Sequence, residues 1–131
     1  MVVSIINTHE YLFSVNEFNE PKVYKDSKAI SQVLTHLLLL EPGTFQSHPD
    51  MGVGLVSKYR YTMEDKITDL KNDFKLQIEK YLPQYQGVQV EVFLQNHICY
   101  INVTIDNTIY AFYYDYETDN FQSTFKALAD L

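Results

Sequence analysis

Ile30, Val33, Leu34, Leu37 and Leu38 stand at i, i+3, i+4, i+7 and i+8, the spacing that puts one apolar stripe on the buried side of a helix. Asp26 or Ser27 can accept the orphan amide hydrogens at the start of this first helix. Pro42 disfavours helical geometry in the residue before it and Gly43 favours a turn, so the helix is expected to stop near Glu41. Residues 43–54 read as a loop, extended at His48-Pro49, with Gly52 and Gly54 open to conformations that bulkier residues avoid. A second helix is predicted from near Thr62 to Pro83. Thr62-x-x-Asp65 has the form of a capping box, and Glu64 and Asp65 suit the positive end of the helix dipole. Met63, Ile67, Leu70, Phe74, Ile78 and Tyr81 mark its buried face.

Beyond Gly87 the period changes to two. Val88, Val90, Val92 and Leu94 form one alternating set and Cys99, Ile101, Val103 and Ile105 a second, which predicts two half-buried strands. Turns at Gln95-Asn96-His97 and Asp106-Asn107 make residues 108–116 a third strand of an antiparallel meander. After Asp119-Asn120, Phe121, Phe125 and Leu128 stand at helical spacing and predict a short final helix. The first 25 residues carry no clean period, with Val2, Val3, Ile5 and Ile6 as the one candidate strand, and read as an N-terminal arm. The expectation is a single α+β domain over residues 26–131, two main helices packed on an antiparallel sheet of three or more strands, preceded by the arm at 1–25.

Composition narrows the function classes. At 131 residues and 46% hydrophobic content, one core can bury roughly two thirds of the unfolded surface. Cys99 is the single cysteine, so no intramolecular disulfide is available. Met1 is followed by no basic segment and long apolar run, so synthesis without a secretory signal is expected. The longest strictly apolar run, Leu37 to Leu40, is far short of the ~20 residues that span a bilayer. A net charge of −7 with Arg60 as the single arginine argues against nucleic acid, whose phosphates demand clustered cations. Eleven tyrosines and eight phenylalanines without a tryptophan suit half-buried strands and protein interfaces.

The sequence carries no glycine-rich nucleotide loop, HExxH, CxxC or Gly-x-Ser-x-Gly elbow. His9, His36, His48 and His97 are dispersed, and His36 adjoins the apolar stripe of the first helix, where a hydrogen-bonded structural histidine is expected in place of a metal ligand. No cofactor is expected. The one enzymatic alternative is glycoside hydrolysis, which needs two carboxylates about 5 to 9.5 Å apart with one kept protonated in an apolar pocket. Glu41 and Asp50, flanking the loop, are the pair that could be proposed.

Residues 26–116 present a definite order: helix, Pro42-Gly43 turn, the loop His48-Pro49-Asp50-Met51-Gly52-Val53-Gly54-Leu55, capped helix, Pro83 turn and meander. This resembles the small baseplate wedge, or sheath-initiator, proteins of contractile phage tails, a family once labelled lysozyme-like and shared with type VI secretion and bacteriocin particles. The family's loop pattern is PxFGxxL; here Met51 replaces the usual aromatic with flexible apolar bulk. The resemblance assigns Pro42, Gly43, Pro49, Gly52 and Gly54 to a structural loop. Family members often end the second helix in Glu-Pro-Arg, which docks on the wedge core bundle. Leu82, Pro83 and Gln84 stand there in this chain, without the charged fork.

The resemblance implies a non-enzymatic virion protein, six copies per baseplate, in contact with wedge core-bundle proteins and the tail sheath. It would template the first sheath ring by strand pairing. The aromatic stretch with Ile109, Tyr110, Phe112 and Tyr114, together with the arm at 2–6, is expected to supply the pairing edges.

Overall fold

The computed structural model describes residues 27–128. The arm at 1–25 and a cap at Asp26 lie outside the described residues. Helix α1 runs Ser27–Leu39, and the predicted stripe is buried on it. Thr35 and His36 are buried as well, so α1 is enclosed continuously from Val33 to Leu38. Its polar side chains turn back on their own helix. The Thr35 hydroxyl donates to the Ser31 carbonyl at 2.8 Å, and His36 Nδ1 lies 2.6 Å from the Gln32 carbonyl. A carbonyl only accepts, so the neutral imidazole carries its proton on Nδ1.

The helix stops at Leu39, slightly before the expected Glu41, because the loop that follows returns to cap it. The Val53 amide donates to the Leu37 carbonyl at 2.7 Å and the Gly54 amide to the Leu40 carbonyl at 2.9 Å. The chain then makes a π-helical turn, Leu55–Tyr59, which the sequence pattern does not announce, with Leu55 and Tyr59 buried.

Helix α2 spans Met63–Tyr81. The predicted capping box does not form. The Thr62 hydroxyl points back to the Lys58 carbonyl at 3.3 Å, a group left over from the preceding turn, and makes no cap bond to the helix it precedes. The Thr62 carbonyl accepts the Asp65 and Lys66 amides, and Lys66 sits off helical geometry at φ −120°, kinking the first turn. Met63, Leu70, Phe74 and Ile78 are buried as expected, while Ile67 and Tyr81 are half-buried.

Four strands follow: β1 (Gln89–Gln95), β2 (Ile98–Ile105), β3 (Thr108–Asp115) and β4 (Asn120–Ala127), an antiparallel meander in spatial order β1-β2-β3-β4. Positive φ at Asn96, at Asp106 and Asn107, and at Asp119 allows the reversals. The final helix expected from Phe121, Phe125 and Leu128 is instead strand β4. A spacing of four fits both periods. Phe121, Ser123 and Phe125 are alternate residues of one strand, and the small polar Ser123 hid the period of two.

Both helices cover the same face of the sheet, α2 over β1 and α1 over β4. Cross-strand rows Val92–Ile101–Phe112–Ser123 and Leu94–Cys99–Tyr114–Phe121 form the sheet's side of the core. Phe74 of α2 meets Phe112 edge-on at 6.3 Å, the arrangement ring quadrupoles prefer. The opposite face carries its own aromatic row. Phe93 stacks on Tyr100 at 5.0 Å, and Tyr100 meets Tyr113 edge-on at 5.4 Å.

Cys99 is fully buried, and burial pushes its thiol up to about 12. The thiolate is the reactive form. Iodoacetamide at pH 8 is therefore expected to leave the native protein unmodified and to alkylate it fully in 8 M urea, read as one mass increment. Rapid labelling of the native protein would contradict this burial.

Candidate functional site

The loop between α1 and the π-helical turn is a fastening, built chiefly from backbone groups. The Gly43 amide donates to the Pro49 carbonyl at 2.7 Å, closing the loop on itself. Gln77 of α2 bonds the loop twice: its Oε1 accepts the Gly52 amide at 2.7 Å and its Nε2 donates to the Asp50 carbonyl at 2.8 Å. Met51 and Phe45 are buried beneath, and Pro42, Gly43 and Pro49 are exposed above. Gly52 and Gly54 both adopt positive φ, +108° and +69°. The five positions expected to shape this loop therefore meet in one compact structure.

Asp50 is exposed and ion-pairs with Lys80, and Tyr81 donates to its other oxygen at 3.1 Å. The Lys80 contact holds the Asp50 carboxyl below the usual carboxylate range, opposite to what a general acid requires. Burial, followed by the bond to Asp50, pushes Tyr81 up to about 12. Glu41 is also exposed. Neither carboxylate lines the hollows at Pro83, Tyr61 or Lys58. Among the described residues no three His, Cys, Asp or Glu side chains gather as metal ligands, and no helix is long and apolar enough to cross a membrane.

The predicted docking turn divides its roles. Leu82 is fully buried and its amide continues α2 to the Ile78 carbonyl at 2.8 Å, whereas Pro83 and Gln84 are exposed. Leu82 thus anchors the turn from inside, leaving Pro83 and Gln84 for any partner. Beside them a hollow of about 420 Å³ runs from α2 to the segment leading into β1.

Strand β3 corrects an expectation. It lies between β2 and β4, so its backbone is paired on both sides, and Tyr110, Phe112 and Tyr114 are core residues with 1%, 0% and 1% exposure. Ile109 is half-buried on the opposite face. None of the four belongs to an edge. Their aromatic and β-branched character reflects a central strand buried on the helix side. Among the described residues, the sheet's outer strands are β1 and β4.

Arg60 has a structural role that motif reading does not reveal. Its Nε donates to the Tyr116 carbonyl at 3.0 Å and Nη2 to the Glu117 carbonyl at 3.1 Å, with Asp119 at 3.8 Å. It ties the π-helical turn to the β3–β4 connection. That connection is further held by Asp115, which accepts the Glu117 and Thr118 amides and His97 Nδ1. The sequence signal was Arg60's isolation as the single arginine.

No family model, characterised protein or solved structure matches the chain.

Proposed function

We propose that this chain is a structural component of a contractile-tail baseplate wedge, without enzymatic activity, that templates the first sheath ring by strand pairing. The observation that supports the reading best is the four-stranded meander with outer strands β1 and β4, beside a loop that fastens α1 to α2. Outer strands offer amide and carbonyl groups that another chain's strand can complete. The pairing role expected of β3 passes to these strands. Pro83 and Gln84 remain the candidate contact with a wedge core bundle, through apolar and backbone interactions in place of a charged fork. Six copies around the tail follow from the family's symmetry, and the alternative within structural proteins is the equivalent subunit of a type VI secretion or bacteriocin particle. The state of Asp50, exposed and ion-paired, gives the hydrolase alternative no support.

The test is cross-linking mass spectrometry of the purified protein with the sheath and wedge subunits of its particle. Expected are cross-links from residues flanking β1 or β4 to the sheath, and from the turn at 83–84 to a wedge bundle. Absence of any stable complex, together with cell-wall cleavage abolished by Glu41→Gln, would replace this reading with a hydrolase.

A further inference from the structure

We infer that His97 and Asp115 form a pH-gated clasp on the β3–β4 connection. With the imidazole protonated and the carboxylate ionised, residues 115–119 are held against the β1–β2 turn, and loss of either charge loosens them. His97 Nδ1 donates to Asp115 Oδ1 at 3.0 Å and lies 4.0 Å from Glu117 Oε2, so one ring faces two carboxylates. The same Asp115 oxygen accepts the Glu117 amide at 3.0 Å and the Thr118 amide at 3.1 Å. A single carboxylate oxygen therefore joins the ring to the bend of the connection. The backbone adds one bond between the two segments, from the Tyr116 amide to the His97 carbonyl at 3.1 Å.

The other charged and titratable groups at this end of the sheet keep their state through neutral pH. Arg60 bonds the Tyr116 and Glu117 carbonyls and faces Asp119, and an arginine stays protonated. The Tyr116 hydroxyl lies 3.4 Å from Glu64 of α2 and 3.2 Å from the Asn96 carbonyl, and its pKa is raised by burial and then by Glu64. Among the described residues facing the connection, His97 is thus the group left to titrate near neutrality. Its bond to Asp115 outweighs desolvation and raises the imidazole. Burial, which would raise the Asp115 carboxyl, is outweighed by the Thr118 amide, His97 and the Glu117 amide, which hold it below its usual range. The sign follows for each group: the clasp is lost as pH rises through the His97 value and, far lower, as pH falls through that of Asp115. Tyr116 and Glu117 also wall a hollow of about 570 Å³ beside exposed Tyr61, so loosening the connection moves one side of that hollow.

The test is an NMR titration of the full chain upward from about pH 6, above the range in which the buried His36 takes up its proton. The His97 ring is expected to titrate with a midpoint above 6.5, and the Tyr116, Glu117 and Thr118 amide shifts to follow that same midpoint. Exchange of the Glu117 and Thr118 amides, corrected for base catalysis, is expected to quicken about two- to fivefold across it, the size that surface ion pairs give. His97→Gln keeps a hydrogen-bond donor without titrating and is expected to abolish the amide titration. Asp115→Asn is expected to return the His97 midpoint towards 6.5. Should Asp115→Asn fail to fold, the shared midpoint in the unmodified chain decides the matter. Amide shifts that ignore His97, a ring midpoint at or below 6.5, or an amide titration that survives His97→Gln overturns the inference.

Discussion

Gly52→Ala is expected to leave little folded protein. A Cβ built on Gly52 would stand 2.1 Å from the Leu40 carbonyl oxygen and 2.7 Å from its carbon. The obstacle is backbone, and it cannot step aside. Leu40 is held by its own amide to the His36 carbonyl and by its carbonyl to the Gly54 amide, while Gly52 is held by Gln77. At φ +108° an alanine is strained even in open space. Strain of this kind and forced overpacking each cost about 1–3 kcal/mol, and the sum is a large fraction of the roughly 5–15 kcal/mol that holds a domain together. The measurement is the urea midpoint, with soluble yield as a second readout. Gly43→Ala is the control, because Gly43 also has positive φ but nothing within 4 Å of the added carbon. Its cost is expected near 1 kcal/mol, that of the backbone conformation alone. Equal losses at both positions would show that the close approach to Leu40 does not matter.

The second large effect is acid destabilisation through His36. Burial lowers this imidazole to about 4 from an ordinary 6.5, outweighing the Gln32 carbonyl bond that favours its proton. The unfolded chain therefore takes up the proton as pH falls through about 6.5, and the folded chain does not until about 4. Stability falls with falling pH wherever the unfolded state binds more protons. Between pH 7 and pH 4 this one residue removes roughly 3 kcal/mol, about 1.4 kcal/mol for each pH unit between the two values. Urea unfolding at half-unit steps would measure the slope, and His36→Met, which fills similar space without titrating, is expected to flatten it.

His97 works in the opposite sense. Its hydrogen bond to Asp115 raises it, so its contribution is complete below 6.5 and is lost as pH rises through the folded value. Its side chain is 46% exposed, and solvent screens the pair. A slope unchanged in His36→Met would assign the acid loss to other groups.

Much of the architecture was legible because side-chain spacing carries it. The stripe Ile30, Val33, Leu34, Leu37, Leu38 and the face Leu70, Phe74, Ile78 are buried on their helices, and the alternations of β1 and β2 give strands. The loop glycines were legible as special, since residue type alone signals unusual backbone. Legibility failed where one signal serves two geometries. The four-residue spacing of Phe121 and Phe125 suits helix and strand alike, and the Thr62-x-x-Asp65 pattern is silent about the carbonyl of Lys58 that claims the hydroxyl.

Local period and residue type thus specified the two helices, three of the four strands and the α+β class, because those patterns arise from each element's own repeat. Tertiary structure alone decided that β3 lies inside the sheet and β1 outside, since an aromatic strand reads the same whether one neighbour pairs with it or two. It decided likewise that Gly52 faces the Leu40 carbonyl and that Arg60 closes on residues 116–119. Each is a contact between segments far apart in the chain or folded back by a turn, and no short-range repeat encodes which surface a segment will meet.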